Sequence, residues 1–127
     1  MRSYDVAVAS LAIDAPTKWT DNLLSQHSIP DVVSARRGVT RRITHPALIR
    51  IALIRQLHTS IGVSVADAVR IAADLLRPDT PAVYLSGQVS VHVNFKELER
   101  VLDDRLAGAL ESAPSPRRGR PARKPEM

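Results

Sequence analysis

Residues 36–48 read Arg36-Arg37-Gly38-Val39-Thr40-Arg41-Arg42-Ile43-Thr44-His45-Pro46-Ala47-Leu48, and two patterns meet inside them. Up to Ile43 the chain is basic, holds one glycine and follows Val32 and Val33. Two short strands turning around Arg37-Gly38 fit this, with arginines on both arms. A plain basic loop satisfies the same turn chemistry. At Thr44 the period changes. Its hydroxyl can serve the free amides of a first helical turn, and Pro46 has no amide there to lose. Leu48, Ile49, Ile51, Ala52, Leu53, Ile54 and Leu57 then leave little of the circumference polar, which predicts a buried central helix with Arg50 and Arg55 on its wet side.

Downstream, Gly62 ends this helix and Ser64 opens another, with Asp67 three residues on in capping-box spacing. Val65, Ala66, Val69, Ile71, Ala72, Leu75 and Leu76 are expected to carry its packing, and Pro78 stops it. Val83 and Leu85, then Val89, Val91 and Val93, alternate with polar residues around Ser86-Gly87, as in a second hairpin. Asn94 and Glu97 start a last helix with apolar positions at Phe95, Leu98, Val101, Leu102, Leu106, Ala109 and Leu110.

Upstream, residues 5–11 read as a short helix. Asp14 is expected to cap a second helix, with Pro16 in its first turn, running to about His27. Trp19, Leu23 and Leu24 would face inward, Trp19 being core, and Thr17, Lys18, Thr20, Asp21 and Asn22 outward. Two short helices around a tight turn have the outline of a helix-turn-helix. The fold class is therefore mainly α with small β-hairpins, a winged helix-turn-helix followed by a β-hairpin and a C-terminal helix.

The 127 residues are 44% hydrophobic but only 3% aromatic, so the core must be aliphatic. The net charge of +5 is unevenly placed. Residues 31–60 hold six arginines and one aspartate, and residues 113–127 hold four arginines, one lysine and one glutamate. The remainder is acidic. Two basic blocks on an acidic body point to a polyanion partner. Cysteine is absent, which excludes disulfides and thiolate metal sites and fits a reducing cytoplasm. No leader-like or bilayer-length apolar run occurs, so a soluble, cytoplasmic, nucleoid-associated protein without a membrane partner is expected.

His27, His45, His58 and His92 lack metal-ligand spacing, and His45 reads as a first-turn polar residue or a phosphate contact. Asp103-Asp104 reads as a solvated face. With no phosphate-binding glycine loop and no nucleophile in a recognisable setting, neither enzymatic activity nor a cofactor or metal is expected.

Residues 113–127 contain prolines 114, 116, 121 and 125 and no large apolar residue except the final methionine, which predicts a disordered basic tail. Its centre, Arg118-Gly119-Arg120-Pro121, is flanked by Arg117, Arg123 and Lys124. This resembles the AT-hook, which implies minor-groove contacts to A·T-rich DNA through Arg117, Arg118, Gly119, Arg120 and Pro121.

Between Val6 and Leu76 the order is helix, turn, helix, arginine-rich hairpin, long helix, short turn, helix. Together with residues 36–48 and Gly62-Val63-Ser64-Val65-Ala66-Asp67-Ala68-Val69, this resembles the DNA-binding domain of the MerR family. The resemblance covers a little over half of the chain. Typical members carry an arginine, paired tyrosines and a glutamate in the second helix, where this chain has Thr20-Asp21-Asn22-Leu23. They also continue into a long dimerising helix after the position of Leu76.

The resemblance implies a MerR-like domain over residues 1–78, and the hairpin and helix of 79–112 are then the candidate dimerisation or partner-binding element. Thr17, Lys18, Thr20 and Asn22 would face a major groove, and Arg36, Arg37, Arg41 and Arg42 would grip phosphates. The expected function is sequence-specific binding of double-stranded DNA, A·T-rich where the tail engages, by a homodimeric transcriptional regulator. Two other functions fit the same residues: an antitoxin-type protein that binds a partner through its C-terminal helix and represses its own operon, and an architectural, nucleoid-associated DNA-binding protein.

Overall fold

The computed structural model describes residues 2–33, 41–80 and 82–112. In chain order they form β1 (Ser3–Tyr4), α1 (Val6–Ala12), α2 (Thr17–Gln26), β2 (Val32–Val33), β3 (Arg42–Thr44) and α3 (His45–Gln56). A π-helical turn (Leu57–Ile61) follows, then α4 (Val65–Leu75), β4 (Val83–Tyr84), β5 (Ser90–Val91) and α5 (Phe95–Ser112). The architecture is mainly α with two small antiparallel sheets.

Thr44 is the junction between the two patterns of residues 36–48. It is the last residue of β3 and the N-cap of α3, and its hydroxyl works in both directions. Oγ1 donates to the Asp31 carbonyl at 2.7 Å and accepts from the Ala47 amide at 3.4 Å. One side chain thus ties the base of a β-ladder to the first turn of the central helix. β3 is the middle strand of a three-stranded sheet ordered β1-β3-β2. Val32 pairs with Ile43, and Val33 with Arg42, so the two arms of the expected basic hairpin exist. Its turn, in residues 34–40, lies outside the described residues. β1 was not expected; it pairs Ser3 with Thr44 and Tyr4 with Ile43 and helps to cover the fully buried Ile43.

α3 is enclosed, as its composition predicts. Leu48, Ile51, Leu53 and Ile54 are buried, and α3 touches β3, α4 and α5. The π-helical turn carries the chain on to Gly62, whose φ of 86° is left-handed and stops the helix. Ser64 caps α4 by accepting the Asp67 amide at 3.1 Å. The Asp67 carboxylate turns to Arg70 at 3.3 Å, so only half of the expected capping box forms. Ala68, Ile71, Ala72 and Leu75 make the buried face of α4, whereas Ala66, expected to pack, is exposed.

Asp14 departs from its expected role. It sits at φ 58° in the turn after α1, and α2 begins after an extended Pro16 with no side-chain cap. A short polar residue tolerates that left-handed geometry, so Asp14 shapes the turn and caps nothing.

Asn94 Oδ1 accepts the Glu97 amide at 3.1 Å and starts α5, as expected. α5 then lies along α1 and against α3, and buries Leu102, Leu106 and Ala109 in the same core as Ile43 and Leu48. Residues on both sides of position 78 thus contribute to one core. Among the described residues, no helix is long and apolar enough to cross a membrane.

Burying a leucine is worth about 1.5–3 kcal/mol, against a whole-domain stability of about 5–15 kcal/mol. A chain ending at Pro78 should therefore lose its cooperative thermal transition, measured by circular dichroism. An unchanged melt would mean that α5 is dispensable to the core.

Candidate nucleic-acid interface

α2 turns one face inward through Leu23 and Thr20, both buried, and through the half-buried Trp19 and Leu24. The Trp19 ring packs against two residues one turn apart, Arg55 on α3 and His58 in the π turn. The Arg55 guanidinium lies 4.9 Å from the ring centroid, and the His58 ring stacks at 6.2 Å and 27°. Arg55 also donates to the Asp14 carbonyl at 3.2 Å, so one side chain fixes both α2 and the turn before it.

Inward anchoring leaves a continuous outward stripe of Thr17, Lys18, Asp21, Asn22 and Ser25, all exposed. At 100° per residue these positions cover less than half of the helix circumference. Of the residues expected there, Thr17, Lys18 and Asn22 are in place and Thr20 is not. Thr20 is wholly buried, and the Ser10 hydroxyl of α1 donates to its Oγ1 at 2.7 Å. Its position three before Leu23 and four before Leu24 puts it on the inner face, a signal that its polar side chain obscured. Ser25 is the member that sequence reasoning missed, although it follows Thr17 and Asp21 at helical spacing.

The arginines at 41 and 42 are neighbours in sequence and differ in surroundings. Arg41 reaches the stripe: its Nη2 donates to Ser25 Oγ at 3.4 Å, and its Nη1 lies 3.9 Å from Asp21 Oδ1. An exposed pair of this kind contributes at most about 1 kcal/mol and leaves the guanidinium open to exchange for another anion. Arg42 turns to the opposite side and pins β1. It donates from Nε to Ser3 Oγ at 3.2 Å and from Nη2 to the Ser3 carbonyl at 2.8 Å. A grip on phosphate is expected of both; in the fold Arg42 is engaged by Ser3, and Arg41 lies against the exposed side of α2. Arg36 and Arg37 lie outside the described residues, as do Arg117, Arg118, Gly119, Arg120 and Pro121. His45, read as a first-turn polar residue or a phosphate contact, opens the first turn of α3 and faces α5, with Nε2 3.0 Å from Asp103 Oδ1.

The surface so formed offers an amide from Asn22, two hydroxyls from Thr17 and Ser25, and cations from Lys18 and Arg41, against one carboxylate from Asp21. Amide and hydroxyl groups on a helix face can read base edges in a major groove, and the cations can hold the flanking phosphates. No family model, curated protein or solved structure matches this chain.

Replacing Thr20 by valine leaves the Ser10 hydroxyl buried without its acceptor and should cost about 1–3 kcal/mol. Adding Ser10→Ala should recover much of that loss in denaturant unfolding. A Thr20→Val variant that keeps its stability but loses affinity for DNA would return Thr20 to the interface.

Proposed function

We propose that this protein is a sequence-specific, double-stranded-DNA-binding transcriptional regulator of the winged helix-turn-helix type, acting as a homodimer. α1 and α2 form the helix-turn-helix, and the outer stripe of α2 reads the major groove. The basic segment joining β2 and β3 is the wing, whose arginines hold the adjacent backbone. Residues 117–121 add minor-groove contacts on A·T-rich sequence. Such a regulator works in the cytoplasm, on the nucleoid.

The observation that carries this reading is the position of Arg41. The fold brings Arg41, just before β3, against Asp21 and Ser25, which supports reading the basic hairpin and the helix stripe as one surface. The order α1, α2, β2–β3, α3, α4 supports it further, being the order that the MerR-like resemblance implies. α5 has less to offer a partner than its sequence suggests, because Leu102, Leu106 and Ala109 face its own core.

Each phosphate that a side chain neutralises adds about 0.9 to the steepness with which log affinity falls against log salt. Arg36→Gln, Arg37→Gln and Arg41→Gln should each flatten that slope by about the same amount in fluorescence anisotropy, with little change in stability. Arg42→Gln should do the reverse, since its hydrogen bonds go to Ser3. A triple variant at 36, 37 and 41 with the wild-type slope would dispose of the wing.

The tail is tested on its own. Tethering raises its effective concentration, so it strengthens binding by more than its isolated affinity suggests. A chain ending at Ser115 should lose more affinity for A·T-rich than for G·C-rich duplexes. Equal losses would leave the tail a general electrostatic contact.

A further inference from the structure

The hairpin β4–β5 presents an exposed and uncharged surface. Val83 and Val91 face each other on its inner side, half-buried, while Tyr84 and Ser90 pair on the outer side. Tyr84 is 71% exposed, and Leu85 and Val89 at the tip are 41% and 52% exposed. The loop is closed by hydrogen bonds from the Leu85 and Ser86 amides to the Val89 carbonyl, at 2.7 and 3.2 Å. Open strand edges on soluble proteins are normally defended by charge or proline. From Ala82 to Asn94 there is no Asp, Glu, Lys, Arg or Pro, in a chain that is 24% charged.

Beside the hairpin runs a groove of about 360 Å³ between the end of α3, the π turn and the start of α5. Leu53, Leu57, Ile61, Val93, Leu98 and Val101 supply its apolar lining, and Val91 of β5 belongs to the same wall. Ile61 is 48% exposed at its rim. The one carboxylate in the lining, Glu97, is held below its usual range by a hydrogen bond from Arg100 and by that residue's charge. The groove is thus mainly apolar, with Gln56, Ser60, His92 and Asn94 also in its lining and its one carboxylate paired with Arg100.

Resting on the homodimer proposed above, we infer that this hairpin and this groove form a self-complementary interface through which two copies of the chain associate. The first reason is shape. A two-fold interface needs each subunit to present a projection and its matching recess side by side, and here β5 belongs to both. The second is charge. Two copies of a chain with net charge +5 repel over most orientations, and association is least opposed where neither copy carries charge. The third is size. Residues 82–93 together with the groove walls come to roughly the 20 residues a side of a standard interface. The basic tail does not suit the groove, because it brings cations and no large apolar side chain apart from its terminal methionine. The rest of the apolar side of α5, at Leu102, Leu106 and Ala109, is already buried where α5 packs against α1 and α3.

The test uses the full chain without DNA, so its outcome is separate from that of DNA recognition. Sedimentation equilibrium is run on wild type, on Tyr84→Glu in the hairpin and on Ile61→Glu in the groove. Both positions are exposed, and a thermal melt verifies that each variant is folded. Wild type should dimerise, and each variant should dimerise at least tenfold more weakly. An equimolar mixture of the two variants should associate more tightly than either alone, because one intact hairpin then meets one intact groove. A monomeric wild type, a variant with wild-type association, or a mixture no tighter than its components would each overturn the inference. A monomeric wild type would leave the groove to a different molecule.

Discussion

A helix with almost no polar side has to be enclosed, and α3 imposes that requirement on everything around it. Leu48, Ile51 and Ile54 are fully buried, with Leu53 and Leu57 nearly so. The chain has one tryptophan, one phenylalanine and two tyrosines, so the enclosure is made by many small aliphatic contacts. β3 covers the N-terminal end of α3, α4 packs along it after the turn at Gly62, and α5 returns from the far end of the described chain to close what remains. Aliphatic packing of this kind is worth about 25 cal/mol per Å² of apolar surface removed from water. It has no directional preference of its own, so the hydrogen bonds at element ends decide the arrangement.

Those end bonds also position the candidate interface. Thr44 joins Asp31 to Ala47, Arg42 joins β3 to Ser3, and Arg55 joins α3 to Asp14 and Trp19. Arg55 reaches α2 through Trp19, and Thr44 and Arg42 hold the β-ladder that Arg41 adjoins. Ser10 and Thr20 join α1 to α2, out of contact with water. The outward stripe of α2 is thus held from behind, with Asp21 and Ser25 engaged by Arg41 and with Thr17, Lys18 and Asn22 exposed.

What could be read from the sequence was what depends on near neighbours along the chain. Thr44, Ser64 and Asn94 cap helices because a cap needs only an amide three residues ahead, and Gly62 stops one because its own φ allows it. What escaped depends on distant partners. β1 is two residues long, too short for a periodic signal, and exists because Ile43 needs covering. Asp14 has the chemistry of a cap, yet the route from α1 to α2 requires a left-handed residue at that position. Thr20 looked like surface from its hydroxyl, and only Ser10 on another helix makes its burial favourable. The three-and-four spacing of α5 showed that it packs on something; α1 is a partner that its own residues do not name.

The same distinction bears on how charge should be counted. Residues 31–60 carry six arginines, which suggests a uniformly cationic surface. Arg42 donates to Ser3, and Arg55 covers Trp19 and donates to Asp14, so both are held by the fold before any polyanion arrives. Arg41 is different, because its contacts are with an exposed carboxylate and an exposed hydroxyl and can be exchanged at little cost. Moving Arg41 from Asp21 to a phosphate would release Asp21 beside the reading surface. On the proposed reading, a carboxylate released there would disfavour backbone at that point and could accept a hydrogen bond from a cytosine amino group. The contacts of Arg41 with Asp21 and Ser25 would then tie holding the backbone to reading the bases: the cation cannot leave α2 without changing what α2 presents.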